Sequence, residues 1–468
     1  MTAHAAPAGH TAHAHGPNHV DPRPQLPETA EALTQDVVAK VKGSRFGALF
    51  AISGILFVIG IVGVFMRISG GYADRSQWGF YAATWAWLAS TACAAPMLSV
   101  ATRFTKGYWR KPLVRFAELF TVSTVLLFLM FIPLIPALPP TWTHVSMWVN
   151  MDLGMRVSFL LAPFGLMVCG LGLLITSARA DRATVADQTT GRQGMAAWLG
   201  GQWGGTPHQW KVMRQGITYL SAFYFMFLVF VHFMSSIEMA ITLVPGWRDP
   251  IFPAFHGITA LQAGLATLII TLGIMRKFGG FKNYLALDQF WNPGKLLMAF
   301  SMLWFYFWWC AFIIFWYGRT PAEQGVLLTT AFGPYLVPFV LAFVLNFAGP
   351  LFMLIWNPIR VSIPGPIVAS VLIVIGNLFD RWRIYGGSFG VVDTGKVEHV
   401  VQKLPVFRAP DAPDLMVLVG VIGGVVFLYL LAMKIFPQMA IWELTEGQLL
   451  TKHKSIVKSH VVVIGKPD

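Results

Sequence analysis

Ten apolar stretches, at residues 46–66, 78–100, 114–134, 157–176, 217–243, 254–275, 296–316, 332–354, 364–379 and 415–435, divide this chain, each closed off by Arg, Lys or Pro-rich polar segments. A helix needs about 20 apolar residues to cross the ~30 Å hydrocarbon core of a bilayer. The spacing therefore predicts an all-α, polytopic membrane protein with ten transmembrane helices, the ninth of them short. With 56% hydrophobic and only 12% charged residues, the chain carries more apolar surface than the interior of a water-soluble globule hides.

Outside the spans the composition changes. Residues 1–45 begin MTAHAAPAGHTAHAHGPNHVDPRPQLPETAE, rich in Ala, Pro, Gly and His and without an apolar period, and are expected to form a disordered arm. The arm has no apolar core and no basic start, so it does not read as a signal peptide. Residues 46–445 form the membrane domain, and residues 446–468 a basic tail.

Ten crossings bring both termini to one side. That side collects 23 Lys and Arg and the other side 10, which by the positive-inside rule makes the terminal side cytoplasmic, in a bacterial inner membrane. The formal charge of +13 is mostly this topological bias, so a basic pI gives no reason to invoke nucleic acid.

Cys93, Cys169 and Cys310 lie in three different spans with no CxxC pattern, which offers no iron–sulfur or zinc ligand set. Of the twelve histidines, His4, His10, His13, His15 and His19 lie in the arm, and only His232 and His256 fall within or at the mouth of spans. His232 is placed roughly 16 Å deep at about 1.5 Å per residue, and His256 at the outer mouth of the next span. Those depths do not match for one haem, so neither haem nor an iron–sulfur cluster is expected in this chain.

Several motifs recur in an order that resembles one family. VHFMSSIEMAITLVPGWRDPIFPAF at 231–255 carries the end of the fifth span into a Pro-Gly-Trp turn. WGFY at 78–81, YWRKPLVRFAELFT at 108–121 and LGGQWGGTPHQW at 199–210 precede it. GFKNYLALDQFWNPGKLL at 280–297, WYG at 316–318, FGPY at 332–335 and FPQMAIWE at 436–443 follow. Together they resemble the NrfD/PsrC-type membrane subunits, in particular the ten-span form of alternative complex III.

The resemblance implies two four-helix bundles with two flanking helices. It also implies a subunit that exchanges electrons between membrane quinone (menaquinone or ubiquinone) and an iron–sulfur or molybdopterin-like partner on the outer face. A second NrfD-like chain and cytochrome c subunits are the further partners it implies. The sequence departs from the family in places. Pro136 stands where quinone-using members carry a His after the third span, TACAAPMLS at 91–99 replaces a small-residue motif, and apolar residues around Cys310 replace an acid in the seventh span. The acid of the fifth span becomes Glu238.

The remaining polar groups fall into two expected clusters. Near the outer face are Asp152, Arg156, Glu238, His256, Asp380 and Arg381. Ionisable groups in a span cost about 2.5–3.5 kcal/mol at a helix centre on insertion scales, so each needs a partner or a role. Asp152 with Arg156 at i,i+4, and Asp380 with Arg381, also read as plain ion pairs. Glu238 and His256, facing each other across the hairpin at 244–253, suit a catalytic pair that takes a quinol proton, with the rest of the cluster lining the quinone. The inner cluster holds Arg115, Glu118, His232, Ser235 and Ser236, with Thr121 and Ser123, and reads as a proton path or as locally satisfied polar groups.

Two functional expectations follow. One is the membrane subunit of a quinol-oxidising or quinone-reducing complex, with proton translocation as an added role. The other is a structural or proton-conducting anchor that has lost the quinone site. A free-standing transporter lacks the interrupted half-spans and inverted repeat expected of one.

Overall fold

A computed structural model describes residues 24–27, 29–42, 46–141, 143–144, 146–148, 151–189, 203–392, 400–456 and 459–464. Among these, eight helices are long and apolar enough to cross a membrane: α2 (Gly47–Ser69), α5 (Val114–Ala137), α6 (Asp152–Thr189), α7 (Pro207–Glu238), α8 (Phe252–Phe278), α9 (Asp288–Gly318), α10 (Leu336–Leu354) and α12 (Ala412–Ile435). The chain is therefore a multi-pass helical membrane protein.

Two of the ten expected spans take another form. The second is broken into α3 (Gly79–Ser90) and α4 (Met97–Phe104) by turns at 91–96, where Pro96 cannot continue the backbone ladder. The ninth, α11 (Pro364–Phe389), runs ten residues beyond the expected end at 379. Residues 380–389, assigned from sequence to the outer loop, are helical and mostly buried. Hydropathy misses them because Asp380, Arg381 and Arg383 read as a boundary, whereas inside the protein Arg383 pairs with Asp380 and Arg381 bonds Ser90 and the His256 carbonyl.

Local chemistry fixes several helix starts. Thr206 accepts from the backbone N–H of Gln209 in a capping box, with Pro207 at the first turn of α7. Asp411 does the same for α12 with Asp414. Asp249 Oδ1 accepts the N–H groups of Ile251 and Phe252 (2.9 and 3.1 Å) at the start of α8.

The helices form two groups. α3, α5, α6 and α7 pack together, and α8, α9, α10 and α11 form the second group; α3, α7, α8 and α11 meet at the junction. α2 and α12 lie against each other on the outside, next to α3 and α5. Their backbones touch at Gly60 and Gly420, where a Cβ on Gly60 would stand 2.4 Å from the Gly420 Cα. Only a residue without a side chain permits that approach. The opposite face of α2 is exposed, with Ile55 and Phe65 more than half accessible, as a helix facing lipid requires.

The arm is only partly what its composition suggests. Residues 30–42 form helix α1 (Ala30–Lys42), because Leu33, Val37 and Val38 make an apolar face at helical spacing and are buried. α1 packs on α13 (Ile441–Leu450), and Tyr284 Oη donates to Asp36 Oδ2 at 2.6 Å. Residues 1–23, 28 and 43–45 lie outside the described residues, and the expected disorder does not hold for α1. The tail continues α13 into an antiparallel hairpin, β1 (Thr451–Ile456) with β2 (Ser459–Ile464).

Candidate functional site

The junction of the two helical groups holds a buried string of polar side chains. His232 on α7 and His256 on α8 bond through their Nδ1 atoms at 3.0 Å, and His256 Nε2 bonds Tyr385 Oη on α11 at 2.9 Å. The His232 ring lies close to the backbone of Ala89 on α3 with its Nε2 making no hydrogen bond, and the Ser235 hydroxyl lies beside Tyr385 and donates to the His232 carbonyl (3.2 Å). Arg381 donates to Ser90 Oγ and to the His256 carbonyl, each at 3.1 Å. All of these side chains except that of Ala89, which is apolar, are polar, and none is more than 1% exposed.

This arrangement corrects the depth estimate for the two histidines. Their rings touch, because the segment after Glu238 folds back over the end of α7 and α8 starts at the level of His232. It also corrects the grouping: His232 and Ser235 belong with His256 and not with Glu118. Ser236 donates to the Phe233 carbonyl of its own helix (2.9 Å).

Glu238 does not face His256. Its carboxylate accepts from Ser146 Oγ (3.0 Å to each oxygen) and from the Met147 N–H (3.1 Å), and His144 Nε2 stands 3.6 Å from Oε2. The expected Glu238–His256 pair is thus replaced by two separate sites, each completed by residues the sequence reading passed over. His144, Ser146 and Tyr385 carried no periodic signal. His144 was detectable only as a histidine close to the outer end of a span.

Asp152 and Arg156 pair at 2.8 Å beside this site, and Arg156 also donates to the carbonyls of Ile135 (2.5 Å) and Leu138 (3.4 Å). Asp380 is held by Arg383 Nε and Nη2 (2.9 and 2.7 Å), three residues along α11, while Arg381 Nη1 is 4.0 Å from it. The pairing read from sequence as Asp380 with Arg381 is mainly Asp380 with Arg383. The adjacent guanidinium of Arg381 is turned to the histidine string.

At the terminal end lies a network of three arginines and three acids. Arg115 pairs with Glu118 (3.1 Å) and Asp181 (2.8 Å), Arg103 pairs with Glu118 and with Glu443 (2.7 Å), and Arg110 pairs with Glu443 (2.5 Å). Ser177 Oγ donates to Glu118 (2.7 Å) and receives a bond from Arg115 (2.7 Å), and Ser99 donates to Glu118 (3.2 Å). Burial pushes the Glu443 carboxyl up, but Arg103 and Arg110 outweigh it and hold the group below the usual carboxylate range. Sequence reading found Arg115 with Glu118. Arg103 and Arg110 were counted there only among the basic residues of the terminal side, Glu443 stood only within the FPQMAIWE motif, and Asp181 was passed over. Thr121 and Ser123 are buried on α5 near this network.

Two hollows lie elsewhere. One, of about 50 Å³, is walled by aromatic rings including Trp247, Phe252 and Trp308 and touches Asp249 and Arg383. The other, of about 710 Å³, opens at the face opposite the termini between Tyr72, Arg75, Pro136, Phe389, Lys403 and Arg408. Glu238, His256 and Asp152 line neither hollow. The arm histidines lie outside the described residues.

The break between α3 and α4 separates the two buried systems. Ser90 on one side bonds Arg381 of the histidine string, and Ser99 on the other bonds Glu118 of the ion network. No protein-family model and no curated protein matches this chain.

Proposed function

We infer that this protein is an integral subunit of a quinone-dependent redox complex, and that its own contribution is to conduct protons through the membrane. The observation that carries this reading is the His232–His256–Tyr385 string. A neutral imidazole has one N–H and one bare nitrogen. If Tyr385 donates to His256 Nε2, then His256 Nδ1–H donates to His232 Nδ1, and the remaining His232 proton faces Ala89. Every bond in the string then has the same polarity. A proton entering at one end reverses that polarity along the string and leaves at the other end, which is what a relay requires.

The ion network at the terminal end supplies a second set of exchangeable groups. The serines flanking the α3–α4 break lie between the two. Counting the broken α3–α4 segment and α11 as crossings gives ten, with both termini in the cytoplasm by the charge bias. The motif resemblance to NrfD-type subunits supports quinone chemistry and an iron–sulfur partner in the complex. The dispersal of Glu238 and His256 to separate partners favours a conducting role over a quinol pocket between them.

The test uses the intact complex isolated through this subunit and reconstituted in liposomes. Tyr385→Phe keeps the ring and removes the hydroxyl. Proton translocation per quinol oxidised is expected to fall by about 10²-fold, the scale of a lost acid–base group, with the complex still assembled. An unchanged proton yield in an assembled complex rules the relay out, and absence of bound quinone or redox partners from the isolated complex removes the quinone assignment.

A further inference from the structure

We propose that His144 and Glu238 form a proton-binding pair at the outer end of α7, holding one exchangeable proton between His144 Nε2 and Glu238 Oε2. The inference rests on the conducting role above and names where the conducted proton is held next to the outer water. It begins with His144 Nδ1, which lies 3.0 Å from the carbonyl oxygen of Pro140. A carbonyl only accepts, so Nδ1 carries the hydrogen. In a neutral ring Nε2 is then bare, yet it faces a carboxylate oxygen at 3.6 Å.

Two acceptors facing each other in a buried site repel. His144 and Glu238 are each 1% exposed, so water does not screen them. One proton between them turns the repulsion into an imidazolium–carboxylate attraction. The carboxylate side agrees with this assignment, since Ser146 Oγ and the Met147 N–H both donate to Glu238, the bonding an ionised carboxylate takes.

The charged neighbours do not supply that proton's charge. On α6, Arg156 is committed to Asp152 and to two backbone carbonyls, so that pair is close to neutral. On α7, the titratable neighbour His232 lies six residues, about 9 Å, further in and bonds His256 of α8. Met147, whose N–H bonds Glu238, is itself 49% exposed, so the pair lies close to the protein surface. Transfer is a proton moving from Nε2 to the carboxylate or to water, with no other bond made or broken.

The test is nitrogen NMR of the full chain in lipid nanodiscs, with ¹⁵N in the histidine rings, at pH 8, where solvent-exposed histidines are neutral. Wild type is expected to show an imidazolium signal that is absent from His144→Gln and lost from Glu238→Gln, which removes the anion and keeps hydrogen bonding. Folding of each variant is checked by its thermal unfolding in the same discs. Absence of the signal from wild type, or its survival in either folded variant, overturns the proposal. If His144→Gln does not fold, Glu238→Gln decides alone; if neither folds, ¹³C labelling of the glutamate carboxyls decides, a wild-type contact between an imidazolium proton and a buried carboxylate supporting the pair and its absence refuting it. A signal that behaves as expected together with an unchanged proton yield in Tyr385→Phe retains the pair and removes the relay.

Discussion

Replacing Glu443 by Gln tests how the terminal end of the protein is held together. Glu443 on α13 is fully buried and faces Arg103 at 2.7 Å and Arg110 at 2.5 Å, residues more than 330 positions earlier in the chain. With Arg115, Glu118 and Asp181 the network contains three arginines and three acids, so Glu443→Gln leaves the largely buried Arg110 without its carboxylate partner. Breaking a buried pair by removing one partner costs about 3–5 kcal/mol, because the remaining ion keeps its desolvation penalty. At about 3 kcal/mol the ratio of folded to unfolded protein falls more than 100-fold.

Urea unfolding of the protein in detergent, followed by far-ultraviolet circular dichroism, measures this loss. Arg110→Gln in the Glu443→Gln background is expected to recover part of it, since it restores neutrality. The pH dependence has a definite sign. The carboxyl ionises at lower pH in the folded protein than in the unfolded chain, so its stabilisation is complete above about pH 4.3 and disappears as the pH falls through the lower folded value. A Glu443→Gln variant within about 0.5 kcal/mol of wild type, or one with an unaltered acid limb, refutes the network as a determinant of stability.

Two further outcomes are expected. Gly60→Leu places a side chain 2.4 Å from the Gly420 backbone and should force α2 away from α12 at about 1–3 kcal/mol; loss of a cysteine cross-link engineered between the two helices reads this directly. Cysteines introduced at positions 145 and 400 should react with an impermeant reagent from the periplasmic side of intact cells, whereas reaction only after permeabilisation reverses the orientation.

The membrane class and most helix positions were legible in the sequence because the hydropathy of a span is a local sum. Residues 47–69 or 412–435 need no knowledge of their neighbours to prefer lipid over water. The same locality explains the errors. α11 continues through Asp380, Arg381 and Arg383 because Arg383 neutralises Asp380 three residues away and Arg381 finds Ser90 and the His256 carbonyl, two partners that no window of the sequence contains. α1 was hidden for a different reason: three buried apolar residues at helical spacing are outweighed in composition by the Ala, Pro, Gly and His before them.

The candidate site shows the same division. Sequence marked Glu238, His232 and His256 as costly groups in spans, and elementary energetics required each to have a partner. It did not identify those partners. Helix rotation, the depth at which α8 re-enters and the placement of His144 and Ser146 decide them, and these depend on packing between segments up to 291 residues apart. The sequence by itself determined that the chain inhabits a membrane and which residues must be satisfied there. Only the tertiary structure decided that His232 meets His256 and Tyr385, that Glu238 meets His144, and that Glu443 joins Arg103, because hydrogen bonds form between neighbours in space and the bilayer constrains depth but not neighbour.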